Sequence, residues 1–253
     1  MSYLQQLSIL CPLIFLSGFV DSIAGGGALI SLPAYYMVGL PPHTALGTNK
    51  LSALSGSVTS SVRFIKSKSY YLRSLAPSII FALIGSFLGA KLAVLLDESI
   101  LRAVLIFAIP VLAGFILLKK DFAEPLKKKE ISDFKLIILC AIISFTIGLY
   151  DGFFGPGAGT FLILAHLGIV GLGLRESMGN SRIINMTTNI SAVIVYFLNG
   201  MVDFKLAIPA ACCAILGNYI GTGFAIKNGK KIVKPMMIFV LTLLVAKLAV
   251  DAF

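Results

Sequence analysis

Charged side chains are scarce in this 253-residue sequence. Lys, Arg, Asp and Glu together make up 13% of it, about half the share of roughly 25% found in soluble globular proteins. Against that shortage stand 58% of residues from the set AVILMFWYC and a mean hydropathy of +0.97. The polar residues needed to cover a water-exposed domain are missing, which excludes a separate catalytic or DNA-binding domain. The expected fold is all-α, a polytopic helical membrane protein. At about 20 residues per crossing, the length has room for about eight to ten membrane-entering segments.

Other absences narrow the function. The four cysteines, Cys11, Cys140, Cys212 and Cys213, lie in apolar segments with no C-x-x-C spacing, so neither a metal site nor a disulfide framework is implied. His43 and His166 lack metal-ligand spacing to an acid or to each other, and there is no G-x-x-x-x-G-K-[ST] run to hold ATP. No metal or other cofactor is called for. The first apolar run, Leu4 to Val20, has no Lys or Arg before it and no small-residue cleavage site, so it is expected to remain in the mature protein. The formal charge of +10 does not point to nucleic acid, because the basic residues sit in short clusters between apolar runs. Such clusters mark cytoplasmic loops.

What is present is a repeat. GFVDSIAGGGA from Gly18 matches GLYDGFFGPGA from Gly148 at an offset of 130, and the match continues at an offset of 132. There Gly47-Thr-Asn-Lys50 faces Gly179-Asn-Ser-Arg182, Pro77 faces Pro209, Gly85 faces Gly217, and Gly89 faces Gly221. The mixed-charge stretch 119–135 separates the copies, giving a first repeat over 1–118, a charged cytoplasmic linker over 119–135 and a second repeat over 136–253. Transporters are commonly built from such duplications.

The first repeat holds four apolar stretches, near Leu7 to Leu40, Thr44 to Phe64, Leu72 to Leu96 and Ile100 to Leu118. The first is too long for one crossing. Ala24-Gly-Gly-Gly27 interrupts it, and glycine costs a helix about 1 kcal/mol per residue relative to alanine. Gly155-Pro-Gly-Ala-Gly159 makes the corresponding break in the second copy. Broken backbone at membrane depth is tolerated only where it is buried in protein or lines a wet cavity. If the first stretch crosses once, basic residues divide eleven inside against six outside; if it is a re-entrant hairpin, the repeats are inverted and the division is fifteen against two. The excess of Lys and Arg on the cytoplasmic side favours inverted repeats with both termini outside.

Four cations then remain within apolar stretches: Lys50, Lys91, Arg182 and Lys247. Lys50 and Arg182 are equivalent by the repeat, as are Asp21 and Asp151, whereas Lys91 and Lys247 have no charged counterpart. Ionisable groups at membrane depth are costly and mark functional sites. Snorkelling to the interface is the plain alternative for the cations. Each lies among polar neighbours, Thr48, Asn49 and Ser52 in the first copy and Asn180, Ser181 and Asn185 in the second. Thr48, Ser52, Ser55 and Thr59 are spaced to put hydroxyls on one helical face. The glycine segments, Gly25, Gly26 and Gly27 with Gly155 and Gly157, offer half-helix N-termini to an anion, and Lys50 and Arg182 add positive charge. Asp21 and Asp151, each four residues before a glycine break, are placed to bridge to the cations, to cap the broken helix or to carry a coupling proton. The pattern predicts a substrate site for a small anion.

At these residues the chain resembles the TauE/SafE sulfite-exporter family of small bacterial and archaeal membrane proteins. The resemblance spans nearly the whole chain and is carried by GFVDSIAGGGALISLP, by Gly47-Thr-Asn-Lys50 and by their second-half echoes around Asp151, Gly155 to Gly159 and Gly179 to Arg182. It implies a secondary carrier moving sulfite or a small organosulfonate; the whole reading is of a multi-pass protein of the cell (inner) membrane with the bilayer and the anion as its partners, a homo-oligomer as one option, and protons, through Asp21 and Asp151, as a candidate coupling ion. Two other readings stay open: an anion channel, and an intramembrane aspartyl protease using Asp21 and Asp151, for which Leu149-Tyr-Asp151 is suggestive but no Gly-x-Gly-Asp motif is present.

Overall fold

A computed structural model describes residues 1–97 and 132–251. The stretch from Ile100 to Leu118 with Arg102, and the linker as far as 131, lie outside the described residues, as does the side chain of Lys247. Among the described residues there are nine α-helices and no strand: α1 (Tyr3–Ala24), α2 (Ala28–Met37), α3 (Pro42–Lys66), α4 (Leu72–Leu95), α5 (Asp133–Phe153), α6 (Ala158–Ala165, continued by a π-turn over His166–Val170), α7 (Leu174–Leu198), α8 (Phe204–Asn228) and α9 (Lys230–Asp251). Of these, α1, α4, α5 and α8 are long and apolar enough to cross a membrane.

Local chemistry sets the helix ends. The Ser2 hydroxyl accepts from the Gln5 amide while the Gln5 side chain accepts from the Ser2 amide, a reciprocal cap that starts α1. Pro42 opens α3, where a missing N–H costs nothing, and the Asp203 carboxylate accepts from Leu206 N–H to start α8. Pro209 is the sixth residue of α8 and leaves the Lys205 carbonyl without its helical donor; the Tyr3 hydroxyl of α1 donates to that oxygen at 3.1 Å.

The expected helix breaks are present. α1 ends at Gly25, whose φ of +88° is the left-handed conformation that glycine adopts without a steric cost. α2 then runs back along α1. Ser17 Oγ donates to the Gly27 carbonyl at 2.8 Å near the break, and Gln6 Nε2 donates to the Val38 carbonyl at 2.9 Å eleven residues further along each helix. In the second half the break covers Phe154 to Gly157, with Gly155 at φ +103° and Gly157 at φ +79°. Gly159, placed in the break by the sequence, is the second residue of α6 because the left-handed Gly157 already turns the chain into a helix.

Large apolar side chains face outward and small ones inward. On α4, Ile80, Ile84 and Leu88 are exposed while Ser86, Gly85 and Gly89 are covered; on α8, Ile208, Leu216 and Phe224 are exposed while Ala214, Gly217 and Gly221 are covered. Lipid tails solvate leucine as well as protein does, so the inward face is selected for close backbone approach. α1 and α8 pack in parallel: a Cβ on Gly217 would overlap the Phe15 carbonyl oxygen, and one on Gly221 would meet that of Phe19 at 2.5 Å. α4 and α5 do the same, Gly85 against Phe145 O and Gly89 against Leu149 O. These contacts correspond at the offsets of 130 and 132. α3 and α7 lie between the two pairs and turn their polar residues inward.

Gly85→Ala and Gly217→Ala should each lower the Tm of the detergent-purified protein by roughly 3–10 °C, the range expected when overpacking costs about 1–3 kcal/mol. Leu88→Ala, on the outward face of α4, should shift it by no more than about 2 °C. Equal shifts for all three in a thermal unfolding series would contradict backbone-to-backbone packing.

Candidate functional site

The two breaks meet each other. A side chain on Gly25 would overlap the Gly159 backbone, Thr160 Oγ1 of α6 donates to the Ala24 carbonyl at 2.6 Å, and Ser181 Oγ of α7 donates to the Gly159 carbonyl at 2.8 Å. The Ala24 carbonyl, left without a helical donor at the end of α1, is thus satisfied from the opposite half, while Ser181 ties α7 to the start of α6 within the second half.

Beside this crossing lie two ion pairs, and each joins one half to the other. Lys50 Nζ of α3 donates to Asp151 Oδ1 of α5 at 2.8 Å, with side chains 3% and 4% exposed; Arg182 Nη1 of α7 donates to Asp21 Oδ2 of α1 at 2.8 Å, with side chains 1% and 20% exposed. The pairing is reciprocal: the acid of each copy holds the cation of the other. Neutral donors complete each carboxylate. Asn185 Nδ2 (3.2 Å) and the Thr188 hydroxyl both donate to Asp151 Oδ2, and the Gly27 amide donates to Asp21 Oδ1 at 3.2 Å. Asp21 therefore bridges to a cation and also caps the N-terminal side of the broken helix. The cations do not snorkel, being buried and paired, whereas Lys91 is exposed and rests over the Phe87 ring at 4.8 Å.

A cavity of about 40 Å³ opens onto these groups. Lys50, Asn49 and Ser52 reach it from α3, Asp21, Gly25 and Gly27 from the first break and its approach, and Asp151, Gly155 and Asn185 from the second half. Gly155 leaves the ion pair accessible, since a Cβ there would stand 2.9 Å from Asp151 Oδ1 and 3.1 Å from Lys50 Nζ. Asn49 Oδ1 is buried without a hydrogen-bond partner at the cavity, and Arg182 Nη2 is likewise unpartnered behind it. Spare polar capacity of this kind, in a dry interior, costs about 1–3 kcal/mol per group and points to a place where a polar ligand is accommodated.

Not every residue singled out in the sequence reaches the cavity. Thr48 accepts from the Asp203 amide, and Asn180 accepts from the Tyr71 amide and donates to Ser74 Oγ. Both tie a long helix to a loop of the other half, and the two ties correspond at the offset of 132. Gly26 faces α9, where a side chain would overlap Val240, and Gly157 faces the Phe161 ring. Ser181 spends its hydroxyl on Gly159, and Arg182 acts on the cavity through Asp21. The hydroxyl stripe on α3 is not brought together: Ser55 and Thr59 donate to carbonyls one turn back in their own helix, leaving Ser52 alone at the cavity. Reading the sequence missed Ser17, Ser31 and Asn218, which line it together with Asn189 of the polar cluster around Arg182. Asn218 had a signal, an amide in an apolar run whose equivalent, Ser86, is polar too. Ser17 and Ser31 had none beyond being hydroxyls near the break.

A buried four-charge cluster at the meeting point of two broken helices, inside an all-helical apolar shell, defines a membrane transporter architecture, and comparison with known proteins agrees. The family model of the sulfite exporter TauE/SafE matches residues 10–248, and the chain belongs to that family. It is 32% identical over 248 residues, 98% of this chain and 96% of the relative, to a probable membrane transporter protein of Haemophilus influenzae. It is 31% identical over 246 residues, 97% of this chain and 90% of the relative, to the probable membrane transporter protein YfcA of Escherichia coli K12. A more distant relative, the probable membrane transporter protein YdhB of Bacillus subtilis, is 23% identical over 86% of this chain and 88% of its own length. The protein is thus a multi-pass membrane transporter.

Lys50→Gln and Asp151→Asn should each destabilise the fold by about 3–5 kcal/mol, because each strands a buried charge. The double variant should recover at least about half of the summed loss. Additive losses in a double-mutant cycle of unfolding free energies would mean that the pair is not energetically coupled.

Proposed function

We propose that the protein is a secondary transporter of a small oxyanion, with sulfite or an organosulfonate as the leading substrates, working by alternating access around the cavity between two inverted repeats. The observation that carries this reading is the reciprocal pairing of Lys50 with Asp151 and Arg182 with Asp21. Cations held by carboxylates and neutral amide or hydroxyl donors form a set suited to a sulfur oxyanion, and the matching family is named for sulfite export.

Several contacts support inverted repeats with re-entrant first segments. α2 returns to the end of α1 from which the chain set out, next to Gln6, so Pro42 begins α3 on the side of the N-terminus. The start of α1 lies beside the start of α8, through Tyr3 and Lys205, and the start of α4 beside that of α5, through Arg73 and Asp133. Arg63, Lys66, Lys68 and Arg73 then share a side with Arg175 and with Lys227 to Lys234, the arrangement that the positive-inside rule assigns to the cytoplasm of an inner membrane. Capture of each carboxylate by a cation gives no support to a protease dyad, in which two acids share one proton.

Purified protein in liposomes should take up labelled sulfite or taurine with saturation and show counterflow against unlabelled substrate. Lys50→Gln and Arg182→Gln should lower that flux at least roughly 30-fold, the loss expected when one member of a buried charge pair is removed, while Lys91→Gln should retain wild-type flux. A flux linear in concentration, or one reduced equally in all three variants, would overturn the assignment.

A further inference from the structure

Asp151 occupies the position that an anionic substrate would take. Its carboxylate is a planar oxyanion held by the Lys50 ammonium on one oxygen and by the Asn185 amide and the Thr188 hydroxyl on the other. Two of those three donors, Lys50 and Asn185, face the cavity, and the glycine at 155 leaves the pair uncovered there. The four charges of the cluster cancel, so an arriving anion finds no unspent cation on its path. It must displace a carboxylate, and a displaced carboxylate would be left charged in a buried position with its donors taken, at a cost of several kcal/mol. A proton on Asp151 removes that cost. The neutral acid no longer holds Lys50, and the ammonium and the Asn185 amide turn to the incoming oxyanion.

Resting on the oxyanion-transporter reading above, we propose that Asp151 is a tethered competitor for the substrate on Lys50, so that one proton on Asp151 and one substrate anion bind together and cross together. The groups that face Asp151 are Lys50 from α3, Asn185, Thr188 and Tyr196 from α7, and Tyr150 from its own helix; Asp21, which holds Arg182, lines the same cavity. A phenol has no basic site to take up a proton and Lys50 must be charged to attract an anion, which leaves the two acids as the groups able to accept the proton. Asp21 differs from Asp151 in geometry: its cation, Arg182, does not line the cavity, so an anion entering there meets Lys50 first. For a monoanion the transport step carries no net charge.

The test uses methanesulfonate, which remains a monoanion from pH 5 to 8, whereas sulfite itself takes up a proton in that range and would carry it across unaided. Binding to the purified wild-type protein should weaken with rising pH between 5 and 8, by up to about tenfold per pH unit, the slope for one linked proton. In Asp151→Asn, whose amide cannot hold Lys50 as an ion pair, binding should persist and lose that slope, with the Kd at pH 8 within about threefold of that at pH 5, while Asp21→Asn should keep it. Wild-type protein in liposomes loaded with a pH-sensitive dye supplies a reading that needs no variant: an inward methanesulfonate gradient should acidify the lumen, and a potassium–valinomycin voltage clamp should leave the rate unchanged. Methanesulfonate binding with equal affinity at pH 5 and 8 in the wild type, or uptake without lumen acidification, overturns the displacement proposal and leaves the transporter standing. Failure of sulfite, taurine and methanesulfonate alike to bind at any pH would remove the oxyanion reading itself.

Discussion

A charge buried in an apolar interior has to be matched, and in both buried ion pairs among the described residues the match is supplied by the other half of the chain. Lys50 reaches across to Asp151 and Arg182 to Asp21. Ion pairs of this kind add little net stability over a well-packed apolar alternative, but removing one partner is severe. Their worth here is in placement. They fix α3 against α5 and α7 against α1, and so hold the two glycine breaks at one point.

Everything around the pairs serves that close meeting. The breaks can touch because Gly25 and Gly159 have no side chains, the Ala24 carbonyl that the first break exposes is taken by Thr160, and Ser181 holds the Gly159 carbonyl. The helices outside them approach backbone to backbone through glycine and alanine, with their bulky residues given to the lipid. At the two ends of the site, the Thr48 and Asn180 side chains hook the loops at Asp203 and Tyr71. Both ion pairs and both of these ties run between halves.

Much of this was legible in the sequence, because apolar surroundings make polar residues conspicuous. The helix breaks followed from runs of glycine, and Lys50, Arg182, Asp21 and Asp151, which the structure brings together in pairs, stood out by their recurrence at fixed offsets. What could not be read was the partner of each. A repeat aligns Asp21 with Asp151 and Lys50 with Arg182, yet contact depends on how the two copies are docked, and periodicity within one copy carries no information about that. The same limit explains Thr48, Asn180 and Gly26. Their residue types suit a binding site, but the helix face on which each falls is covered by the other half or by α9. Asn49, Ser52 and Asn185 do reach the cavity, and nothing in the sequence separates them from those that do not.

The reciprocal pairing also has a consequence for how the molecule is made. A chain enters the bilayer in order from its N-terminus, and Lys50 precedes its partner by 101 residues while Asp21 precedes its own by 161. During synthesis the first half therefore holds an unmatched cation and an unmatched acid at membrane depth, with Gly25 and the Ala24 carbonyl facing no counterpart. Those groups must remain hydrated or close to the insertion machinery until the second half arrives. The finished site is thus a late event in biogenesis, and a chain stopped midway would expose at its centre the polar groups by which quality control recognises an unassembled membrane protein.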